Sequence, residues 1–189
     1  MMSLYFIAII PPDEICEEIT TIKRDFAKRF NSRHALKVIP HITLKAPFQF
    51  PAEQDDLLLQ WFEKLPVTTK PFIQELQNFG CFNNKRSPVI FIEPLMNESL
   101  LLLQENIIDD LRINFPFIAT DRELNFKPHM TVAYRDLLPH QFHKAWHEYK
   151  DKKYERTFEV NSFHLLQHNN RKWNSLSLKS LSKGKEKFQ

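Results

Sequence analysis

Along this chain the apolar periodicity switches back and forth between about two and about 3.6 residues, which neither an all-helical nor an all-stranded fold accommodates. Leu4 to Ile10 is an unbroken apolar, β-favouring run closed by Pro11-Pro12, and it predicts a buried strand. From Asp13 to about Phe30, Ile15, Ile19, Ile22, Phe26 and Phe30 recur at helical spacing, with Asp13 and Glu14 in the first turn, where the helix dipole favours them. Leu36 to Leu44 predicts the next strand, and Gln54 to about Leu65 a helix with Leu57, Leu58, Trp61 and Leu65 on one face. Phe72 to Phe82 and Val89 to Ile92 predict two strands around a polar turn, and Asn97 to about Ile113 a third helix. Phe126 to Tyr134 is strand-like, and Pro139 opens a fourth helix to about Tyr149. Phe158 to Leu166 and Trp173 to Leu178 predict a closing hairpin about Asn169-Asn170. The order β-α-β-α-β-β-α-β-α-β-β, with short connections and no linker, predicts an α+β fold in one domain over residues 1–180, two lobes sharing a sheet surface.

Only Gly80 and Gly184 occur, so neither a Walker loop nor a dinucleotide-binding Gly-x-Gly-x-x-Gly turn can be present. Any grip on phosphate must come largely from side chains. A hydrophobic content of 42% with 17 Phe is enough for a substantial core. The two cysteines, Cys16 and Cys81, do not make a disulfide scaffold in a chain of this size. Leu4 to Ile10 is too short to span a bilayer and no secretory leader pattern is present. A soluble, reducing, cytoplasmic setting without a membrane partner is therefore the expectation. The net charge of +3 is mild, and Lys183, Lys185 and Lys187 contribute to it from an expected flexible basic tail at 181–189.

One pattern occurs twice: Pro40-His41-Ile42-Thr43 and Pro128-His129-Met130-Thr131. Random scattering of this composition yields roughly 0.02 such matches, so two copies on predicted strands are not chance. Strand alternation puts His41 and Thr43 on one face, about 7 Å apart, and His129 and Thr131 likewise. Continued, it adds Lys45 to the first face and Ala133 and Arg135 to the second, with Ala133 small enough to leave room for a ligand. If the two strands converge, one neutral and one protonated imidazole make a base/acid pair, and the threonine hydroxyls donate to the non-bridging oxygens of a phosphate. The motif histidines do not stand at metal-ligand spacing, and this chemistry requires neither a metal nor another cofactor.

The two motifs, 88 residues apart, resemble the paired signatures of the 2H phosphoesterase superfamily, in particular its 2′-5′ RNA ligase-like or cyclic phosphodiesterase branch. Leu4 to Pro12 resembles that branch's opening strand, and Lys127 to Ala133 its second signature. The resemblance implies a bilobal fold of two pseudo-symmetric antiparallel-sheet lobes, with helices outside and a central cleft. It also implies metal-independent action on 2′,3′-cyclic phosphates or 2′-5′ phosphodiesters. In many ligase-like members an Arg directly follows the Ala of the second motif; here Tyr134 holds that position and Arg135 follows.

The expected reaction is hydrolysis of 2′,3′-cyclic phosphate ends of RNA or nucleotides by a monomer. His41 is assigned as acid and His129 as base, with Thr43 and Thr131 holding the phosphate; the symmetry of the motifs does not rank the two histidines. Lys45, Phe48, Tyr134 and Arg135 are candidate substrate contacts, Phe48 and Tyr134 through stacking on a base. The alternatives are a 2′-5′ RNA ligase or 2′-5′ phosphodiesterase, and a weakly catalytic RNA- or nucleotide-binding module. His140, His143 and His147 share a predicted helix face and read as solvated; His34 reads as a helix-terminal residue, and His164 and His168 as lining either an outer sheet or the cleft.

Overall fold

The structure, a computed structural model, describes residues 1–169 and 172–182, the side chains at 121 and 122 excepted. Eight strands and four helices follow in chain order among these residues. They are β1 (Met2–Ile9), α1 (Asp13–Arg29), β2 (Ile42–Pro51), α2 (Asp55–Lys64), β3 (Phe72–Phe82), β4 (Val89–Pro94), α3 (Glu98–Asn114), β5 (Met130–Ala133), α4 (Pro139–Tyr149), β6 (Glu155–Val160), β7 (Ser162–Asn169) and β8 (Lys172–Ser180). The bounds of β3 and α4 are those the periodicity predicts. Helix α3 begins where a capping residue stands: the Asn97 side chain accepts the Leu100 N–H at 2.8 Å.

The strands form two four-stranded antiparallel sheets, ordered β2-β1-β7-β8 and β5-β4-β3-β6. Each lobe thus owns a sheet; the expected shared sheet surface is replaced by two. The lobes exchange helices instead. Helix α1 follows β1 but packs on β5 of the other sheet, while α3 follows β4 and packs on β2. Helices α2 and α4 cover β8 and β4. The unit β1-α1-β2-α2 is therefore repeated as β4-α3-β5-α4, with β7 and β8 completing the first sheet as β3 and β6 complete the second, and the duplicated layout seen in the sequence is a pseudo-two-fold arrangement of lobes.

Three predicted strands are corrected. Leu36 to Leu44 is not one strand: His34–Lys37 forms a 3-10 turn and the strand starts at Ile42, after Pro40, which has no N–H for a ladder. Pro128 delays β5 to Met130 in the same way. Phe158 to Leu166 is two strands, broken at Asn161, because β6 pairs with β3 and β7 with β1. The Asn161 carbonyl accepts the N–H of Leu181, whose side chain is buried, so packing reaches past residue 180. Residues 183–189 of the expected tail, and Asn170 of the expected turn, lie outside the described residues.

Strand β1, central in its sheet, is buried on both faces. Tyr5, Ile7 and Ile9 join the main core with Phe26, Ile90, Leu103, Val132 and Phe163. On its other face, Phe6 and Ala8 pack with Leu166 into a second cluster bordered by Ile10, Val38 and Trp173. That second cluster is the apolar floor on which the first motif sits.

Candidate active site

Each motif histidine stands immediately before an edge strand, His41 before β2 and His129 before β5. Each is pinned by the same local bond. His41 Nδ1 lies 2.7 Å from the Ile39 carbonyl and His129 Nδ1 2.8 Å from that of Lys127, in both cases two residues back. A carbonyl only accepts, so Nδ1 carries the hydrogen, and Nε2 is the ring atom left for a ligand. Aromatic rings back both imidazoles. Phe6 lies 4.8 Å from His41, while Phe82 and Phe91 lie 5.2 and 5.7 Å from His129, centroid to centroid. Phe91 has room for its ring because Gly80 stands opposite on β3; a Cβ there would meet the ring at 2.5 Å.

His41, Thr43, His129 and Thr131 all line one cavity of about 730 Å³. Burial pushes His41 down to about 4, assisted by the charges of Lys23 and His129 and opposed by the hydrogen bond to Ile39. Burial also lowers His129, against the pull of the Lys127 carbonyl. Both imidazoles are therefore neutral at pH 7, and a charge on His129 further disfavours protonation of His41.

Alternation fails one residue after each threonine, and it fails identically in both lobes. Ala8 pairs with Thr43 but Ile7 with Lys45; Phe91 pairs with Thr131 but Ile90 with Ala133. Leu44 and Val132 are the extra residues of matching β-bulges, which turn the next side chain away from the cleft. Lys45 and Ala133, expected on the cleft face, are instead 2% and 0% exposed. The Lys45 Nζ donates to Glu123 Oε1 at 2.7 Å, in a buried pair also held by Thr120. Burial works to raise Glu123, but the bonds from Lys45 and Thr120 prevail and hold it below the ordinary carboxylate range. Phe48, expected as a stacking surface, is buried in the core against Tyr5 with the Lys45 ammonium over its ring. Neither Lys45 nor Phe48, expected as substrate contacts, is among the residues that line the cleft.

Tyr134 and Arg135 do line the cleft. Arg135 gets there through a left-handed backbone, φ 62°, just past β5. Asp136 anchors this turn: its carboxylate accepts from Ser32 Oγ and from the N–H groups of Arg33 and His34. His34 is thereby held edge-on to Tyr134, with Arg135 Nη1 3.3 Å from its Nε2. His140, His143 and His147 are exposed on α4, as a solvated face requires. His168 reaches the cleft, whereas His164 bonds Ser175 Oγ.

Lys23 and Trp173, which the motifs do not mark, also stand in the cleft wall. Lys23 had a visible signal, a cationic residue on the apolar stripe of α1 between Ile19 and Phe26. Trp173 packs edge-on to Phe6 at 4.5 Å, a contact between β8 and β1 that no local pattern announces. The cleft is lined by Lys23, Lys37, Arg135 and four histidines, and no Asp or Glu is among its described lining residues. Such a surface suits an anion. It lacks the carboxylates with which hard divalent cations are held, and among the described residues no three His, Cys, Asp or Glu side chains gather as a metal set.

The family model of the 2′-5′ RNA ligase superfamily matches residues 11–172. The chain belongs to that superfamily, the 2H phosphoesterases. A Bacillus cytotoxicus protein named "Putative phosphoesterase" is 33% identical over 159 residues, covering 83% of this chain and 87% of that one. A Geobacillus kaustophilus protein of the same name is 31% identical, covering 86% of each. Among solved structures, Escherichia coli LigT complexed with 3′-AMP superposes with a TM-score of 0.68 at 18% identity, over 97% of this chain and 100% of that one. TT0787 of Thermus thermophilus gives 0.66 at 20% identity, over 94% and 97%. These structures share the bilobal fold. Among the described residues no helix is long and apolar enough to cross a membrane.

Proposed function

We propose that this 2H phosphoesterase hydrolyses terminal 2′,3′-cyclic phosphates of RNA or nucleotides, without a metal, by acid/base catalysis with two histidines. The observation that carries the reading is the matched pinning of His41 and His129 by Nδ1, which leaves both Nε2 atoms free in a cleft that Thr43 and Thr131 also line and that has no Asp or Glu among its described lining residues. His129, neutral, takes a proton from the attacking water, whose oxygen bonds to phosphorus. His41, neutral in the free protein, is charged once the substrate's anionic phosphate lies beside it, and gives its proton to the departing ribose oxygen as the ester bond breaks, leaving a phosphomonoester. Thr43 and Thr131 donate to the non-bridging oxygens, where charge builds in the transition state. Arg135 and Tyr134 hold the remainder of the nucleotide. That LigT was solved with 3′-AMP supports a nucleoside monophosphate as the kind of molecule such a cleft holds.

A second reading, joining or cleaving 2′-5′ linkages, is favoured by the superfamily's name alone. Incubation with 2′,3′-cyclic, 3′,5′-cyclic and 2′-5′-linked substrates in chelator separates the two. Turnover of the 2′,3′-cyclic compounds in chelator is expected. Turnover confined to 2′-5′ linkages, or strictly dependent on added divalent metal, contradicts the proposal.

A further inference from the structure

Among the described residues two lysines are buried, and their surroundings differ. Lys45 faces the core and is neutralised by Glu123. Lys23, 2% exposed at the middle of α1, faces the cleft beside His41, Thr43 and Val38. Among the described residues no carboxylate pairs with its ammonium, whose recorded bond is to the Val38 carbonyl at 2.9 Å. That bond uses one of three hydrogens. An ammonium buried without a counter-charge is costly, and a neutral donor would hold the Val38 carbonyl as well. The segment it holds, Val38 and Ile39, is the one on which His41 is pinned.

We infer that Lys23 is a phosphate-binding residue: its ammonium, unmatched by any carboxylate among the described residues, meets a non-bridging oxygen of the substrate's phosphate on the His41 side of the cleft. Burial already lowers Lys23 to about 8, so an anion arriving there stabilises the charged form. The second motif's side of the cleft carries Arg135 rather than a buried lysine, so the two sides hold different cations and the pseudo-symmetry is broken. The inference deepens the phosphodiesterase reading by naming the group that takes the substrate's charge.

The test is calorimetric binding of inorganic phosphate to wild type, Lys23→Gln and Lys23→Met, with thermal melting of each. Gln can still donate to the Val38 carbonyl but has no charge; Met keeps the stem alone. Phosphate affinity is expected to fall about 10- to 100-fold in Lys23→Gln, the size of a lost charge-assisted hydrogen bond, with its phosphate-free melting little changed. A purely structural clamp predicts that Lys23→Gln keeps its affinity, and binding by Lys23→Gln within about twofold of wild type would overturn the inference, whatever Lys23→Met does. Turnover of a 2′,3′-cyclic nucleotide by the same wild-type protein keeps the two claims apart. Lys23-dependent phosphate binding without turnover sinks the hydrolase reading and leaves Lys23 in place; turnover with Lys23-independent binding does the reverse.

Discussion

An imidazole bonded through Nδ1 to a carbonyl is fixed in tautomer and orientation, and the two motif histidines share that arrangement. Burial lowers both, so the bell-shaped pH profile of kcat/KM, which reports the free enzyme, is expected to peak below the ordinary histidine value of about 6.5. Bound phosphate favours the protonated ring, so the kcat profile should lie at higher pH than that of kcat/KM. Coincident profiles centred above neutrality would contradict the role given to burial. Lys45 has a different expected signature. Lys45→Met leaves Glu123 buried without its cation, at a stability cost of about 3–5 kcal/mol seen in melting, while KM of any folded variant stays near wild type. The four motif residues were legible in the sequence because each motif is local chemistry repeated. Lys45 was misplaced because strict alternation does not contain the bulge at Leu44.

Secondary structure supplies three supports for these side chains. The prolines stop the ladder before each histidine, freeing its ring to fold back on its own backbone. The twin bulges keep Thr43 and Thr131 on the cleft while turning the following residues inward. Gly80 leaves the space in which Phe91 lies under His129. Gly80→Ala should therefore push that ring toward His129, destabilising the protein by about 1–3 kcal/mol and lowering kcat more than the stability loss explains. A variant with normal kcat would separate Phe91 from the site. Asp136 supports the opposite wall, and Asp136→Ala removes three hydrogen bonds to residues 32–34. Its expected effect is a raised KM, through displaced His34 and Arg135. Helices and long strands were legible from their periodicity. The bulges, the 3-10 turn and the break at Asn161 were not, because each is set by pairing between distant segments.

At the scale of the whole molecule, two repeats exchange helices so that α1 braces the second lobe's sheet and α3 the first's. The exchange couples the lobes, and the cleft they share collects the ends of both motif segments. Its charge is asymmetric, with Lys23 on the His41 side, although the scaffold around it is nearly two-fold. Sequence layout announced the duplication, but only the sheet order separates one shared surface from two sheets. The central claim is that the two pinned imidazoles perform the chemistry. Its most direct test is the turnover of a nucleoside 2′,3′-cyclic phosphate, in chelator, by His41→Ala and His129→Ala proteins whose circular dichroism matches wild type. Each variant is expected to lose about 10²- to 10⁴-fold in kcat, the scale of a lost acid or base; wild-type turnover in both would contradict the account.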